Sequence, residues 1–145
     1  MAENYTGAIG IVFQRSPQKF LLIHNKSTGN VSFPAGGREP GEMSSKQSLE
    51  RELREETGLN PSDYRLIETP IIHQFVYNSN KKDRAGKTAV QPVYLVETHK
   101  LALTPNDPDA QIQGWFPEEE TVEKLSFPDS KELFKKAVQY LNSRK

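Results

Sequence analysis

Three glutamates lie close together in the segment RELREETG, where Glu52 is followed three and four residues later by Glu55 and Glu56. On a helix this spacing places the three carboxylates on one face, where like charges repel by roughly 0.2–0.5 kcal/mol per pair. A solvated acidic face is the ordinary explanation of such a cluster. The alternative is a site for a hard divalent cation, which prefers oxygen ligands and keeps waters for a phosphate-bearing substrate.

The residues around the glutamates predict a helix over residues 45–57. Ser44 is a typical helix start, and Gly58 is a typical left-handed stop. Leu49 and Leu53 are four residues apart and face away from the glutamates, so they are predicted to anchor the helix in the core. The sequence therefore predicts a helix that holds its carboxylates in fixed positions.

The segment FPAGG, together with the helix that follows it, resembles a known motif. From Gly37 the chain aligns with the Nudix box, G-x5-E-x7-R-E-U-x-E-E-x-G-U, in which U is a bulky aliphatic residue. The second half of the box, residues 51–59 (RELREETGL), is intact at every fixed position. The chain is thus similar to the MutT-like Nudix hydrolases. The resemblance implies the α/β fold of that family, an α/β/α sandwich with a mixed sheet between helices.

The same resemblance implies roles for individual residues. Glu52, Glu55 and Glu56 would bind Mg²⁺, with the Gly37 carbonyl as a fourth ligand and Mn²⁺ as a substitute metal. Arg51 would hold the glutamates in place and belong with them to the catalytic set. The implied reaction is hydrolysis of a phosphoric anhydride bond in a nucleoside diphosphate linked to another moiety. A glycine pair before the helix suits this site, because backbone carbonyls can approach a metal closely there.

One position departs from the box, because Met43 stands where the first glutamate is expected and Glu42 lies one residue early. Either the loop is shortened and Glu42 takes the role, or the role is lost. We expect Met43 to face apolar neighbours and Glu42 to lie near Arg51 or the water shell of the metal. In the family this glutamate mainly supports the loop, so the departure affects loop rigidity more than metal binding.

Elsewhere the pattern alternates between strands and helices within one predicted domain, residues 1–145. A C-terminal helix is predicted over 129–143, with Asp129 and Glu132 as a capping box, and a short helix is predicted after Pro117. Pro70 is expected to break the longest strand pattern in two. The predicted strands are 7–15, 19–25, 31–34, 64–78, 90–99 and 111–116.

Tyr77 bears on the substrate, because 17 residues separate it from Leu59. A tyrosine at about this spacing resembles the diadenosine polyphosphate hydrolases of the family, where it stacks on an adenine. Arg84 and Lys87, in a loop that also holds Lys81 and Lys82, are predicted to meet substrate phosphates. The ordinary alternatives are a half-buried aromatic at a strand end and a solvated basic loop.

No downstream residue is an obvious general base, and Asp109 is a weak candidate. Trp115 is predicted to be a core or rim aromatic rather than a surface for base stacking. The three histidines lack ligand spacing and are predicted to be structural or surface residues; they are His24, His73 and His99.

Composition limits the remaining function classes. The formal net charge is zero, so there is no strong signal for nucleic acid or a membrane, and the absence of cysteine excludes thiol chemistry. The N-terminal segment has no signal-peptide pattern, so a cytoplasmic monomer or homodimer with a small nucleotide substrate is expected. Two alternatives to the dinucleoside polyphosphate substrate stay open: a house-cleaning nucleoside triphosphate pyrophosphatase and a catalytically weak nucleotide-binding module.

Overall fold

The structure is a computed structural model that describes residues 5–76 and 88–144. The strands are β1 Gly7–Gln14, β2 Lys19–Asn25, β3 Val31–Ser32, β4 Ala35–Gly37, β5 Tyr64–Val76, β6 Thr88–Thr98 and β7 Ala110–Phe116. The helices are α1 Ser45–Thr57, α2 Glu118–Lys124 and α3 Pro128–Ser143, with a 3₁₀ turn at Pro61–Asp63. The predicted glutamate helix has the bounds of α1.

The described strands form one seven-stranded sheet whose main order is β3-β2-β1-β6-β5. In addition, β4 pairs with the first half of β1, and β7 pairs with β2. The β1–β6 pair is parallel, whereas the other described pairs are antiparallel, so the sheet is mixed. Helix α1 packs on one face and α3 on the other, which confirms the predicted α/β/α sandwich.

Two apolar clusters hold the layers together. On one face Leu49 and Leu53 of α1 are fully buried against sheet residues such as Val96. On the other face Phe134 of α3 packs edge-on against Phe20, with ring centroids 4.8 Å apart. Burial of one such side chain stabilises the fold by about 1.5–3 kcal/mol. The first cluster fixes α1, and therefore its glutamates, relative to the sheet.

The strand β5 departs from the prediction, because it continues through Pro70 to Val76. Its pairing with β6 shifts register between Glu68 and Ile72, so Pro70 lies in an irregular stretch. The strand is also last in the sheet order, where a residue without an N–H is tolerated. The predicted strand 31–34 is shortened to β3, and β4 lies beyond the predicted range.

The start of α3 also differs from the prediction. The helix begins at Pro128 after the N-cap residue Phe127, which makes no side-chain capping bond, so the predicted capping box at Asp129 is wrong. Proline suits the first helical position because its fixed φ is already helical. The short helix predicted after Pro117 is confirmed as α2. None of the described helices combines the length and the apolar character that a membrane span requires.

Candidate active site on the glutamate helix

Local contacts define both ends of α1. The Ser44 hydroxyl accepts a hydrogen bond from the Gln47 N–H at 3.2 Å, as expected of an N-cap. Gly58 ends the helix with φ of 80°, and its N–H donates to the Arg54 carbonyl at 3.1 Å. A left-handed residue with no Cβ is needed there, because a side chain would also overlap the Thr104 carbonyl. The predicted start and stop are both confirmed.

Glu52 and Glu56 face strand β4 from one side of the helix. Gly36 lets Glu52 approach, since a Cβ at that position would overlap the Glu52 carboxylate. The Ala35 N–H donates to Glu56 Oε2 at 3.1 Å. We call Glu52 and Glu56 the carboxylate pair. The backbone of β4 thus holds this pair next to the glycine turn.

The carboxylate pair is electrostatically unfavourable. Burial, together with the neighbouring Glu52 charge, raises the pKa of Glu56 from 4.5 to about 9. Burial also raises the pKa of Glu52, although Arg51 opposes the shift. Both shifts favour the protonated form, because a proton on one carboxyl group removes the repulsion between two neighbouring charges. At neutral pH the pair therefore retains a shared proton.

Arg51 lies at the centre of the surrounding charges, and its side chain is only 14% exposed. Its Nε lies 2.7 Å from Glu42 Oε2, and its Nη1 lies 2.6 Å from Glu52 Oε1. Its Nη2 donates to the Gly37 carbonyl at 2.5 Å. A weaker contact of 3.4 Å joins Nη1 to Glu55 Oε1. Arg51 thus connects the glycine turn to the glutamates, as the resemblance implied.

The structure resolves the question of Met43 and Glu42. Glu42 lies beside Arg51, as expected, whereas Met43 is 56% exposed, so the expectation that Met43 faces apolar neighbours is wrong. Although burial alone would raise it, hydrogen bonds from Arg51 and Ser48 lower the pKa of Glu42 to about 2. The loop is shortened by one residue, and Glu42 occupies the supporting position.

Glu55 stands apart from the carboxylate pair, and its side chain is 42% exposed. Within the described ranges, no three acidic or histidine side chains lie in an arrangement that could hold a metal ion as they stand. The donor set nevertheless fits a divalent cation. Two mostly buried carboxylates share a proton that a cation would replace, and the Gly36 backbone leaves space beside them.

A loop before β7 covers the C-terminal end of α1. The backbone N–H groups of Asn106 and Asp107 both donate to the Glu55 carbonyl at 2.8 Å. The Asp107 charge contributes to the raised pKa of Glu56, after burial and Glu52. Asp109 is exposed, and its N–H donates to Asp107 Oδ1 at 2.9 Å. Asp107 is thus an acidic residue whose charge acts on Glu56, whereas Asp109 as the general base stays a prediction.

The family model described as the NUDIX domain matches residues 4–137 of this chain. The chain belongs to the Nudix family. The predicted membership in this hydrolase family is thus confirmed.

Curated relatives of this Nudix chain include an RNA pyrophosphohydrolase from Proteus mirabilis, which is 30% identical over 114 residues. That alignment covers 77% of this chain and 62% of the relative, so the chain spans less than two thirds of the relative's length. Among solved structures, the dihydroneopterin triphosphate pyrophosphohydrolase of E. coli has a TM-score of 0.75 at 12% identity, covering 92% of this chain and 97% of that one. The Ap4A hydrolase of C. elegans has a TM-score of 0.69 at 20% identity, covering 97% and 99%. Both structures show the Nudix fold.

Other predicted residues have simpler roles or lie outside the described ranges. Trp115 is partly buried against the α1-side cluster, and its Nε1 donates to the Leu101 carbonyl at 3.2 Å, which confirms a core or rim role. His24 and His73 each contact a glutamine side chain at 3.3 Å. The remaining predicted substrate residues fall between residues 76 and 88, outside the described ranges; they are Tyr77, Arg84 and Lys87.

Proposed function

We infer that this Nudix chain hydrolyses a phosphoric anhydride bond in a nucleoside diphosphate linked to another moiety, and that it depends on Mg²⁺. The carboxylate pair of Glu52 and Glu56 is the observation that carries this proposal. Burying two neighbouring carboxyl groups with raised pKa values lowers the stability of a fold, and such pairs are typical of functional sites. Helix α1 and strand β4 hold them in place at that cost.

In this proposal the glutamates bind the cation and Arg51 orients its ligands. Glu52 and Glu56 would hold the cation, and Glu55 would complete the site from the exposed side of the helix. Arg51 fixes Glu52 through its 2.6 Å contact. Its bond to the Gly37 carbonyl uses one lone pair, and a carbonyl oxygen has a second that could serve as a ligand.

A bound magnesium ion would neutralise charge on the phosphoryl oxygens and lower the pKa of a coordinated water. The chain must also accept a proton when a water attacks phosphorus in line with the leaving phosphate. Asp107 is the better placed candidate for this role, because its charge acts on Glu56 whereas the Asp109 side chain is exposed. The relative named as an RNA pyrophosphohydrolase supports cleavage between two phosphates.

A dinucleoside polyphosphate is our first candidate substrate, on the resemblance of Tyr77 to the base-stacking tyrosine of diadenosine polyphosphate hydrolases. Stacking on an aromatic ring contributes roughly 1–3 kcal/mol and tolerates any base. Arg84 and Lys87 follow Tyr77 closely in sequence and could bind a long phosphate chain. RNA with a 5′-triphosphate is the second candidate, because a curated relative at 30% identity is named for RNA.

The test is a substrate panel assayed with and without Mg²⁺. It contains diadenosine tetraphosphate, a 5′-triphosphorylated RNA oligonucleotide, canonical and oxidised nucleoside triphosphates, and ADP-ribose. We expect the highest kcat/KM for diadenosine tetraphosphate. Tyr77→Ala should raise KM more than it lowers kcat, and Tyr77→Phe, which keeps the ring, is the matched control.

Other outcomes select the alternatives. Highest turnover of a nucleoside triphosphate, with no effect of Tyr77→Ala, would replace the first candidate with a house-cleaning pyrophosphatase. Preference for the RNA oligonucleotide would select the second candidate. Binding of these compounds without Mg²⁺-dependent hydrolysis of any of them would contradict the enzymatic proposal and favour a nucleotide-binding module.

A further inference from the structure

The shortened loop of this chain is held partly by residues that are not fixed positions of the Nudix box. Glu42 Oε1 accepts hydrogen bonds from the Glu39 N–H at 2.8 Å and from the Ser48 hydroxyl at 2.6 Å. Glu42 Oε2 accepts from Arg51 Nε at 2.7 Å. The contact to Ser48 is as short as any that Glu42 makes, and it comes from a position that the box leaves free.

Ser48 is fully buried in α1 and faces the loop. Because the ionised carboxylate of Glu42 has no proton, the single hydroxyl proton of Ser48 must go to Glu42. Serine inside a helix commonly bonds to a backbone carbonyl one turn earlier, and it is a weaker helix former than alanine. Packing alone would therefore favour alanine at this position, whereas the hydroxyl is aimed at one carboxylate oxygen.

Tyr5 supports Ser48 from the segment before β1. Its hydroxyl lies 2.7 Å from the Ser44 carbonyl and 3.2 Å from Ser48 Oγ, and because Ser48 donates to Glu42, the Tyr5 proton is shared between these two acceptors. The Tyr5 side chain is buried, and the Arg38 guanidinium lies over its ring at 4.8 Å from the centroid. Tyr5 therefore contacts the helix and the loop at the same time and limits the movement of both.

These contacts form a continuous path from Tyr5 through Ser48 and Glu42 to Arg51. Arg51 in turn contacts the Gly37 carbonyl and Glu52, which belong to the proposed metal site. Rotation of Glu42 would free one edge of the Arg51 guanidinium and loosen both of these contacts. Mutation of residues that orient the ligands of a metal commonly lowers metal affinity or activity by about 10- to 100-fold, although these residues do not touch the metal.

We propose that Ser48, supported by Tyr5, is a positioning residue that holds Glu42 in the shortened loop and thereby keeps Arg51, Gly37 and Glu52 arranged for a divalent cation. The inference rests on the proposed function, because it assigns a purpose to the same site. It concerns two residues outside the fixed positions of the Nudix box, and it explains how this chain keeps the Glu42–Arg51 contact although Glu42 lies one residue early.

The experiment compares Ser48→Ala with a matched control, Ser45→Ala. Ser45 is equally buried in the same helix, and its hydroxyl lies 2.6 Å from the hydroxyl of Tyr94 in β6. Each variant removes a buried hydroxyl whose shortest contact given above is 2.6 Å. Mn²⁺ binding to the full chain is measured by electron paramagnetic resonance, alongside the melting temperature and the Mg²⁺ concentration that gives half-maximal activity.

We expect Ser48→Ala to weaken Mn²⁺ binding about tenfold or more, the usual effect of losing an outer support of a metal site. The Mg²⁺ requirement should rise in parallel. Ser45→Ala should lower the melting temperature to a similar extent and leave metal binding unchanged. Adding Ser48→Ala to Glu42→Gln should cause little further loss of affinity, because the two residues act through one contact.

Equal Mn²⁺ affinity in Ser48→Ala and Ser45→Ala would overturn the proposal. So would a double variant in which Ser48→Ala lowers the Mn²⁺ affinity of Glu42→Gln as much as it lowers that of the wild type. If Ser48→Ala does not fold, Tyr5→Phe takes its place, since it keeps the ring under Arg38 and removes only the hydroxyl. It should weaken Mn²⁺ binding relative to Ser45→Ala, and unchanged binding would then overturn the proposal.

The two proposals can fail separately. A wild-type chain that binds Mn²⁺ but hydrolyses no compound of the panel contradicts the proposed function, whereas the positioning role still stands on the Mn²⁺ affinities. A wild-type chain that hydrolyses its substrate, with Ser48→Ala behaving like Ser45→Ala, contradicts the positioning role alone. A wild-type chain that binds no Mn²⁺ overturns both.

Discussion

Two carboxylate environments lie next to each other, one in the loop before α1 and one on α1, and they differ in what neutralises the charge. Glu42 and Glu52 are similarly buried, with side chains 14% and 12% exposed. Glu42 is surrounded by donors from Arg51, Ser48 and the Glu39 backbone, and its pKa is about 2. Glu52 instead faces Glu56, whose pKa is raised to about 9. Burial acts to raise the pKa in both places, and only at Glu42 do the surrounding donors reverse its effect.

The difference separates support from function. At Glu42 the chain itself provides the positive charge of the Arg51 guanidinium together with further hydrogen-bond donors, and these contacts fix the loop. It supplies no full counter-charge to the carboxylate pair, which keeps a proton in its place. An external divalent cation would resolve that deficit, and the fixed loop would hold the Gly37 carbonyl and Glu52 ready for it.

The largest effect is expected from the glutamates themselves. Glu56→Gln and Glu55→Gln should each lower kcat by roughly 10³-fold, because a metal supplies several kcal/mol of transition-state stabilisation and each 1.4 kcal/mol is a factor of ten. Glu50→Gln is the matched control, since Glu50 lies in the same helix and its charge acts on Tyr64. Near-normal turnover by Glu55→Gln and Glu56→Gln with Mg²⁺ would refute the assignment of the metal site.

The next effect concerns the loop that covers the end of α1. Asp107→Asn should lower kcat by about 10²-fold if this residue accepts the proton of the attacking water. Asp109→Asn is the control, because its side chain is exposed and only its N–H contacts Asp107. Steady-state kinetics at saturating Mg²⁺ measures both. A larger loss of kcat from Asp109→Asn than from Asp107→Asn would show that Asp107 is not the base, although its charge raises the pKa of Glu56.

A smaller effect is expected on the supporting side. Glu42→Gln should lower activity about tenfold by weakening the hold on Arg51. Met43→Leu should leave activity unchanged, because Met43 is 56% exposed. Activity at several Mg²⁺ concentrations distinguishes a lost metal from a lost fold, since high Mg²⁺ should restore part of the Glu42→Gln activity. Should Met43→Leu prove the more damaging change, the shortened loop does not use Glu42 as a support.

The smallest effect is a pH dependence of stability in the metal-free protein. Between pH 4.5 and about 9 the folded state binds more protons than the unfolded state at Glu56, so the free energy of unfolding should fall as pH rises. The slope for one proton is at most about 1.4 kcal/mol per pH unit. Urea unfolding in EDTA at pH 5, 7 and 9 measures it, and Glu56→Gln should flatten it.

Glu42 serves as a control, because its contribution to the free energy of unfolding changes with pH in the opposite direction. Its pKa is lowered from 4.5 to about 2, so it contributes stability above pH 4.5 that is lost as the pH falls toward 2. Glu42→Gln should therefore leave the slope between pH 5 and 9 unchanged, although it lowers stability overall. A metal-free protein whose stability rises from pH 5 to 9, or a Glu56→Gln variant with the wild-type slope, would contradict the account of the carboxylate pair.

Local patterns predicted much of this arrangement. Ser44 and Gly58 set the bounds of α1 through backbone capping, and Leu49 and Leu53 set its buried face. Both features depend on residues within a few positions of each other, which the sequence displays directly. The shared face of the glutamates follows from the same helical spacing.

Contacts between distant segments could not be predicted in this way. The Asn106–Asp107 turn reaches the end of α1 through backbone N–H groups, for which no residue type gives a signal. Tyr5 reaches Ser44 and Ser48 across about 40 residues. Pro70 was expected to break a strand, but its position in the last strand of the sheet order removes the need for its N–H. These features depend on tertiary placement.

The exchange of a proton for a cation at the carboxylate pair is the central claim, and calorimetry tests it most directly. Mg²⁺ is titrated into the metal-free protein at pH 7 in buffers of different ionisation enthalpy, which gives the number of protons released on binding. We predict release of about one proton per metal ion by the wild type, since ligands must be deprotonated, and none by Glu56→Gln. Mg²⁺ binding to the wild type without proton release, or equal release by Glu56→Gln, would contradict the account.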